Sequence, residues 1–167
     1  LGSVGEERAN ATITQIFPFD SGRKCMAVVI QMDNGTYRML VKGAAEILLR
    51  QSTRIVQDAT NGLAEAPLSV DDRVAIDTVI TDYASRALRC IALVHRDFEI
   101  WPPRETVTCE NDGETVEFEP IFRDMTMLGV FGIQDPVREG VPDAVRQCQR
   151  AGVFVRILTG DNIITAK

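Results

Sequence analysis

No stretch of this chain reaches the run of roughly 20 apolar residues that a membrane-spanning helix needs. The first residues, Leu1-Gly2-Ser3-Val4-Gly5-Glu6-Glu7-Arg8, lack the layout of a signal peptide. Both absences lead to the expectation of a water-soluble chain. His95 is the sole histidine, and Cys25, Cys90, Cys109 and Cys148 are scattered without a C-x-x-C pair. That spacing argues against a zinc site or a disulfide framework and reads as reduced thiols in a cytosolic protein. Positive charge is also short, with 18 Lys and Arg against 24 Asp and Glu and a formal charge of −6. Binding to generic nucleic acid or to anionic membranes needs a basic face, so no nucleic-acid partner is expected, although a local basic pocket remains open.

At 167 residues, 45% hydrophobic and 25% charged, the chain is long enough for one domain, or one domain and a piece of another. Its organising stretch runs from Phe17 to Ala44. Two β-rich runs flank Asp33-Asn34-Gly35, and Asn-Gly between apolar runs signals a hairpin because both residues tolerate positive φ. The hairpin sets Phe19, Arg23 and Lys24 near one end and returns Lys42, with Gly43 where strand gives way to helix. An aromatic face, several cations and a glycine suit a nucleotide, with its base on the ring and its phosphates on the cations. The plainer reading of the same residues is solvated surface charge and a core phenylalanine.

The remaining chain alternates helix and strand signals. Residues 1–11 form a ragged lead-in, Thr12–Phe19 a strand, and Ala44–Arg50 a short helix with Ala44, Ile47 and Leu48 on its apolar side. Arg54–Asp58 reads as a strand and Ala59–Leu68 as a loop. Ser69 caps a helix carrying Val70, Val74, Ile80, Tyr83, Ala84 and Leu88 at helical spacing, with Asp71 and Asp72 suited to its first turn. Leu88–Arg96 is strand-like, with Arg89 at its start and a structural or exposed His95. Glu99–Glu119 holds seven acidic residues against Arg104 and reads as a solvated, acidic hairpin around Asn111-Asp112-Gly113. Its carboxylates lack the spacing of a calcium-binding EF-hand, and no metal ligands are assigned.

Met125–Gln134 is a buried-strand run stopped at Asp135-Pro136-Val137-Arg138, where proline restricts the residue before it as a domain boundary requires. Glu139–Ala151 then reads as an amphipathic helix with Val141, Ala144, Val145 and Cys148 on one side, closed by Gly152. Val153–Leu158 reads as a short β-branched strand leading to Thr159-Gly160-Asp161-Asn162. Helix, buried strand and such a turn are the grammar of a parallel α/β sheet, which binds ligands beyond its strand ends.

In this order, Phe19 with Arg23-Lys24, Lys42-Gly43-Ala44, Leu88-Arg89-Cys90, Asp135-Pro136-Val137-Arg138 and Thr159-Gly160-Asp161-Asn162 resemble the P-type cation-transporting ATPases. Pro18–Lys24 and Gly132–Arg138 are most similar to calcium pumps of the plasma-membrane type and its fungal vacuolar relatives. The resemblance implies an α+β fold. Residues 1–134 would be part of the nucleotide-binding domain, an antiparallel sheet flanked by helices. Residues 135–167 would be the first helix and strand of a haloacid-dehalogenase-like phosphorylation domain. It implies ATP and Mg²⁺ as cofactors, Ca²⁺ as the transported ion, and the remainder of the pump as partner. The chain would lie on the cytosolic face of a vacuolar or plasma membrane.

By the same resemblance, Phe19 would stack on adenine, Lys42 and Gly43 would floor the pocket, and Arg23, Lys24 and Arg89 would meet the nucleotide or its phosphates. Asp135, Pro136 and Arg138 would form the hinge, and Thr159, Gly160 and Asp161 the phosphoryl-site loop. Ser21 departs from the reticulum-type pattern, which has an arginine there. The chain contains no Asp-Lys-Thr-Gly-Thr sequence, and phosphoryl transfer rests almost wholly on positioning and electrostatics. Binding of ATP without hydrolysis is therefore expected. A contrasting expectation is a truncated soluble phosphohydrolase of the haloacid-dehalogenase type, which would leave the Phe19–Ala44 cluster unexplained. An orphan parallel strand after residue 152 would either stay disordered or associate with a second copy through its unpaired edge.

Overall fold

The computed structural model describes residues 3–58, 60, 64–110 and 113–159. A short helix α1 (Val4–Asn10) lies in the stretch expected to be ragged and precedes β1 (Thr12–Asp20), β2 (Cys25–Gln31) and β3 (Tyr37–Ala44). Then come α2 (Ala45–Gln51), β4 (Ser52–Asp58), β5 (Ala64–Pro67), α3 (Val70–Ser85) and β6 (Arg89–Phe98). A small hairpin of β7 (Val107–Glu110) and β8 (Gly113–Val116), then β9 (Met125–Ile133) and α4 (Val141–Arg150), complete the described elements. The main sheet has the order β1-β2-β3-β6-β9-β4-β5. The α+β class holds, but the expected antiparallel sheet contains one parallel pair, β4 with β9.

Register follows from burial. Phe17, Ala27, Val41, Val94 and Met127 are opposite one another across β1, β2, β3, β6 and β9, and none is more than 7% exposed. A one-residue slip of any of these strands would turn its apolar row to water, at about 1.5–3 kcal/mol for each large side chain. The turn from β2 to β3 uses Asn34 and Gly35 as expected, with a different division of labour. Only Gly35 has positive φ, at +82°, while the Asn34 side chain accepts hydrogen bonds from the backbone N–H and the hydroxyl of Thr36.

Two helices cover part of the sheet. α2 buries Ala45, Leu48 and Leu49 and runs directly into β4, the Ser52 hydroxyl donating to the Leu48 carbonyl at 2.8 Å. α3 opens with a reciprocal cap in which Ser69 Oγ accepts from the Asp72 N–H and Asp72 Oδ2 accepts from the Ser69 N–H. Arg73 donates to the carbonyls of Leu49 and Ser52 and so ties α3 to the end of α2. Only Ile80 and Ala84 of α3 are buried, so Val70 and Val74, expected on its apolar side, are exposed before the helix reaches the sheet.

Other expectations are corrected by tertiary pairing. Residues 64–67, expected in a loop, form β5; its Pro67 is tolerated because this edge strand pairs with β4 alone. The acidic stretch after Glu99 does form the β7–β8 hairpin, yet it is not wholly solvated. Phe118 is 3% exposed and packs 5.1 Å from Phe17, while the Trp101 indole N–H donates to Gln15 Oε1. α4 buries no residue, although Val141, Ala144, Val145 and Cys148 were expected to face a core. Residues 153–159 form no strand, and Phe154 and Leu158 are almost fully exposed. A parallel strand takes its hydrogen bonds from neighbours, and no described strand pairs with this segment. Gly160, Asp161 and Asn162 lie outside the described residues.

His95 belongs to the structure, with 2% of its surface exposed. Its Nε2 lies 3.2 Å from Glu65 Oε1 and its Nδ1 3.6 Å from Asp97 Oδ1, and those carboxylates are themselves bound by Arg54 and Arg38. Burial, followed by the nearby Arg38 charge, holds the imidazole below its ordinary 6.5. The unfolded chain therefore takes up this proton before the folded one does, and stability present above pH 6.5 is lost as pH falls toward the folded value. Urea midpoints should decline between about pH 7 and pH 5, and His95→Asn should flatten that decline; a midpoint that rises over the interval would contradict the assignment.

Candidate functional site

The end of the sheet where β3 finishes and β6 begins is shaped by one tight turn. After β1, Asp20 Oδ1 accepts hydrogen bonds from the N–H groups of Gly22 and Arg23 at 2.9 and 2.8 Å, and the Lys24 N–H donates to the Asp20 carbonyl at 2.7 Å. The two bonds to its side chain, that of Arg23 foremost, keep the Asp20 carboxyl below the usual range. Lys24 takes a left-handed conformation, φ +51°, and its carbonyl accepts the Ala44 N–H at 3.0 Å. The turn is thereby fastened to the end of β3.

Gly43 is what allows that approach. A Cβ at this position would lie 2.5 Å from both the Cys25 Cβ and the Lys24 carbonyl oxygen. By its sequence context Gly43 serves ligand approach; the structure adds a packing requirement independent of any ligand.

Around this junction lies a cavity of about 700 Å³, within the range of small-molecule sites. Phe19 enters from the end of β1, Lys24 from the turn after it, Lys42, Gly43 and Ala44 from β3, Arg89, Cys90 and Ile91 from the start of β6, and Ile80 and Ala84 from α3. Of the residues singled out in the sequence, Phe19, Lys24, Lys42, Gly43 and Arg89 are brought together. Phe19 is 65% exposed and so presents its ring rather than packing it. Among the described residues, three cations against the one carboxylate of Glu46 make this a locally basic site on an acidic chain.

Arg23 is not with them. Its guanidinium lies 4.4 Å from the Phe118 ring centroid and donates to the Pro18 carbonyl, so the turn sends Arg23 and Lys24 to different surroundings. Asp135, Pro136 and Arg138 are exposed, beyond the end of β9 and away from the cavity lining. Thr159 does line the cavity, beside Leu158. Ser21, Met26, Glu46, Ile80 and Ala84 line it too and were not chosen as site residues. Ser21 and Glu46 stood inside or beside quoted motifs, but the α3 contribution has no local signal. Cys90 is half-buried, and burial, helped by the Glu46 charge, pushes its thiol up.

The family model described as P-type ATPase, cytoplasmic domain N, matches residues 1–140. The chain belongs to the P-type ATPase family. This P-type ATPase chain is 45% identical over 166 residues to calcium-transporting ATPase 2 of Cryptococcus neoformans, covering 96% of the chain and 12% of that protein. It is 41% identical over 168 residues to calcium-transporting ATPase 2 of Schizosaccharomyces pombe, covering 100% and 13%. Against human plasma membrane calcium-transporting ATPase 1 it is 40% identical over 164 residues, covering 98% and 13%. The chain thus spans about an eighth of the length of these relatives. Among the described residues, no helix of this P-type ATPase chain is long and apolar enough to cross a membrane.

Replacing Gly43 by alanine should destabilise the chain by about 1–3 kcal/mol, the usual cost of overpacking, through displacement of the Lys24–Cys25 backbone. A urea titration measures the loss, and an unchanged midpoint would show that the turn moves away freely.

Proposed function

We propose that this chain is the ATP-binding part of a P-type pump that exports or sequesters Ca²⁺ from the cytosolic face of its membrane. The observation that carries the reading is the convergence of Phe19, Lys24, Lys42 and Arg89, from three separated segments, on one cavity floored by Gly43. In this reading adenine stacks on the Phe19 ring, and the triphosphate runs toward the cations, whose charge offsets its own. Apolar side chains of Met26, Ile80, Ala84 and Ile91 suit the faces and edges of a flat base. Arg23 acts on the nucleotide only through the turn, because its guanidinium is engaged with Phe118.

The finer assignments rest on the family resemblance. Residues 1–134 constitute the nucleotide-binding part and 135–167 the start of the phosphorylation domain, with Asp135, Pro136 and Arg138 as the hinge. Support for this division comes from the end of β9 at Ile133 and from α4, which finds no core on this sheet. Thr159, Gly160 and Asp161 are assigned to the phosphoryl-site loop. The remaining parts of the pump are its partners.

The described residues do not fit a protein-held Mg²⁺. Among the described residues the cavity is lined by one carboxylate, and no group of three or more His, Cys, Asp and Glu side chains is arranged to hold a metal, whereas Mg²⁺ demands octahedral oxygen ligands. No step is assigned to it on this chain. With no Asp-Lys-Thr-Gly-Thr nucleophile segment in its sequence, the chain binds ATP without turning it over.

Titrating the chain with ATP, with and without Mg²⁺, should shift amide resonances at Phe19, Lys24, Lys42, Gly43 and Arg89. No shifts up to millimolar ATP would refute the reading. Phe19→Ala should weaken binding by roughly ten- to a hundredfold, the loss of one base stack. Lys42→Ala should weaken ATP more than adenosine in calorimetry, and equal losses would remove the phosphate role of Lys42.

A further inference from the structure

The acidic stretch after Glu99 has no part in the nucleotide reading, yet one of its side chains reaches the turn that shapes the cavity. Phe118, between β8 and β9, is 3% exposed. Its ring centre lies 5.1 Å from that of Phe17 and 4.4 Å from the guanidinium carbon of Arg23. One ring, distant in sequence, thus touches the chain on both sides of Phe19. Phe118 is itself held in place: its carbonyl accepts the Phe122 N–H at 3.0 Å, and the two rings are 5.0 Å apart. Arg96 of β6 donates to the carbonyls of Ile121 and Arg123 at 3.1 and 3.0 Å, which fastens the same loop to the sheet.

At the other side of the contact, Arg23 Nη2 donates to the Pro18 carbonyl at 3.3 Å, whereas its Nε is buried with no hydrogen-bond partner among the described residues. An unpaired buried donor costs free energy, so the guanidinium rests there because the ring and the Pro18 carbonyl hold it. Arg23 and Lys24 are consecutive, and the backbone at Lys24 is left-handed. Fixing the Arg23 side chain on Phe118 therefore fixes the direction in which Lys24 leaves the turn, toward the cavity. Resting on the nucleotide reading above, we propose that Phe118 is a positioning residue of the nucleotide site: by clamping Arg23 it aims Lys24 at the phosphates. Phe118 does not line the cavity and acts only through the turn.

The test titrates ATP and adenosine by calorimetry into the unchanged chain, Lys24→Ala, Phe118→Leu, Arg23→Gln, and each of the last two combined with Lys24→Ala. Lys24→Ala alone should weaken ATP by about tenfold, as for one hydrogen bond between charged groups. Phe118→Leu and Arg23→Gln should each weaken ATP by about five- to tenfold and leave adenosine within about threefold. Adding Lys24→Ala to either should then cost less than about threefold more, because Lys24 is already misdirected. A packing role alone would leave the Lys24 loss at full size in both backgrounds, and that additivity overturns the assignment, as does an equal loss of ATP and adenosine. If Phe118→Leu fails to fold, by amide dispersion, Arg23→Gln decides alone. Failure of the unchanged chain to bind ATP defeats the nucleotide reading, and the amide resonances of Gly22 and Lys24 in Phe118→Leu then decide the clamp: unmoved resonances refute it.

Discussion

The close approach of the Lys24–Cys25 backbone to Gly43 governs the functional end of this molecule. It joins the β1–β2 turn to the last residues of β3, and the Ala44 N–H to Lys24 carbonyl bond fixes the junction. Without that approach Phe19 and Lys24 would not share a cavity with Lys42. The strain of a left-handed lysine at position 24 is accepted where hydrogen bonds on either side over-determine the turn. A glycine in a strand usually costs stability; here it is the condition for assembling the site.

Behind the junction, the buried row from Phe17 to Met127 fixes strand register, and register decides which side chains reach the cavity. Lys42 is opposite Met26 and Leu93, one position beyond the core residue Val41, so its exposure follows from the burial of its neighbour. α3 then closes the cavity with Ile80 and Ala84, held against α2 through the Arg73 contacts with Leu49 and Ser52. Fold stability and site geometry thus draw on the same contacts. The basic character of the cavity is local and coexists with a net charge of −6, because two lysines and an arginine from distant segments meet there.

The C-terminal part obeys a different constraint. α4 carries apolar side chains at helical spacing yet buries none of them, and residues 153–159 have β-branched composition without strand pairing. A helix can form its own hydrogen bonds, whereas a parallel strand cannot. This explains why α4 is present while the expected strand is not.

Local signals determined the elements: the Asn34-Gly35 turn, the Ser69 cap, the apolar strand of β6, and the cation-bearing motifs around Phe19, Lys42 and Arg89. Each depends on residues a few positions apart, and the ordered motifs carried the family. Tertiary structure alone decided the rest. The parallel pairing of β4 with β9, the edge strand containing Pro67, and the burial of Phe118 against Phe17 arise from contacts distant in sequence. The same applies to the separation of Arg23 from Lys24, adjacent residues whose side chains a left-handed turn sends to Phe118 and to the cavity respectively. Glu46 lines the cavity for the same reason: a first-turn glutamate is ordinary in sequence, and only the packing of α2 beside β3 and β6 brings it to a basic pocket.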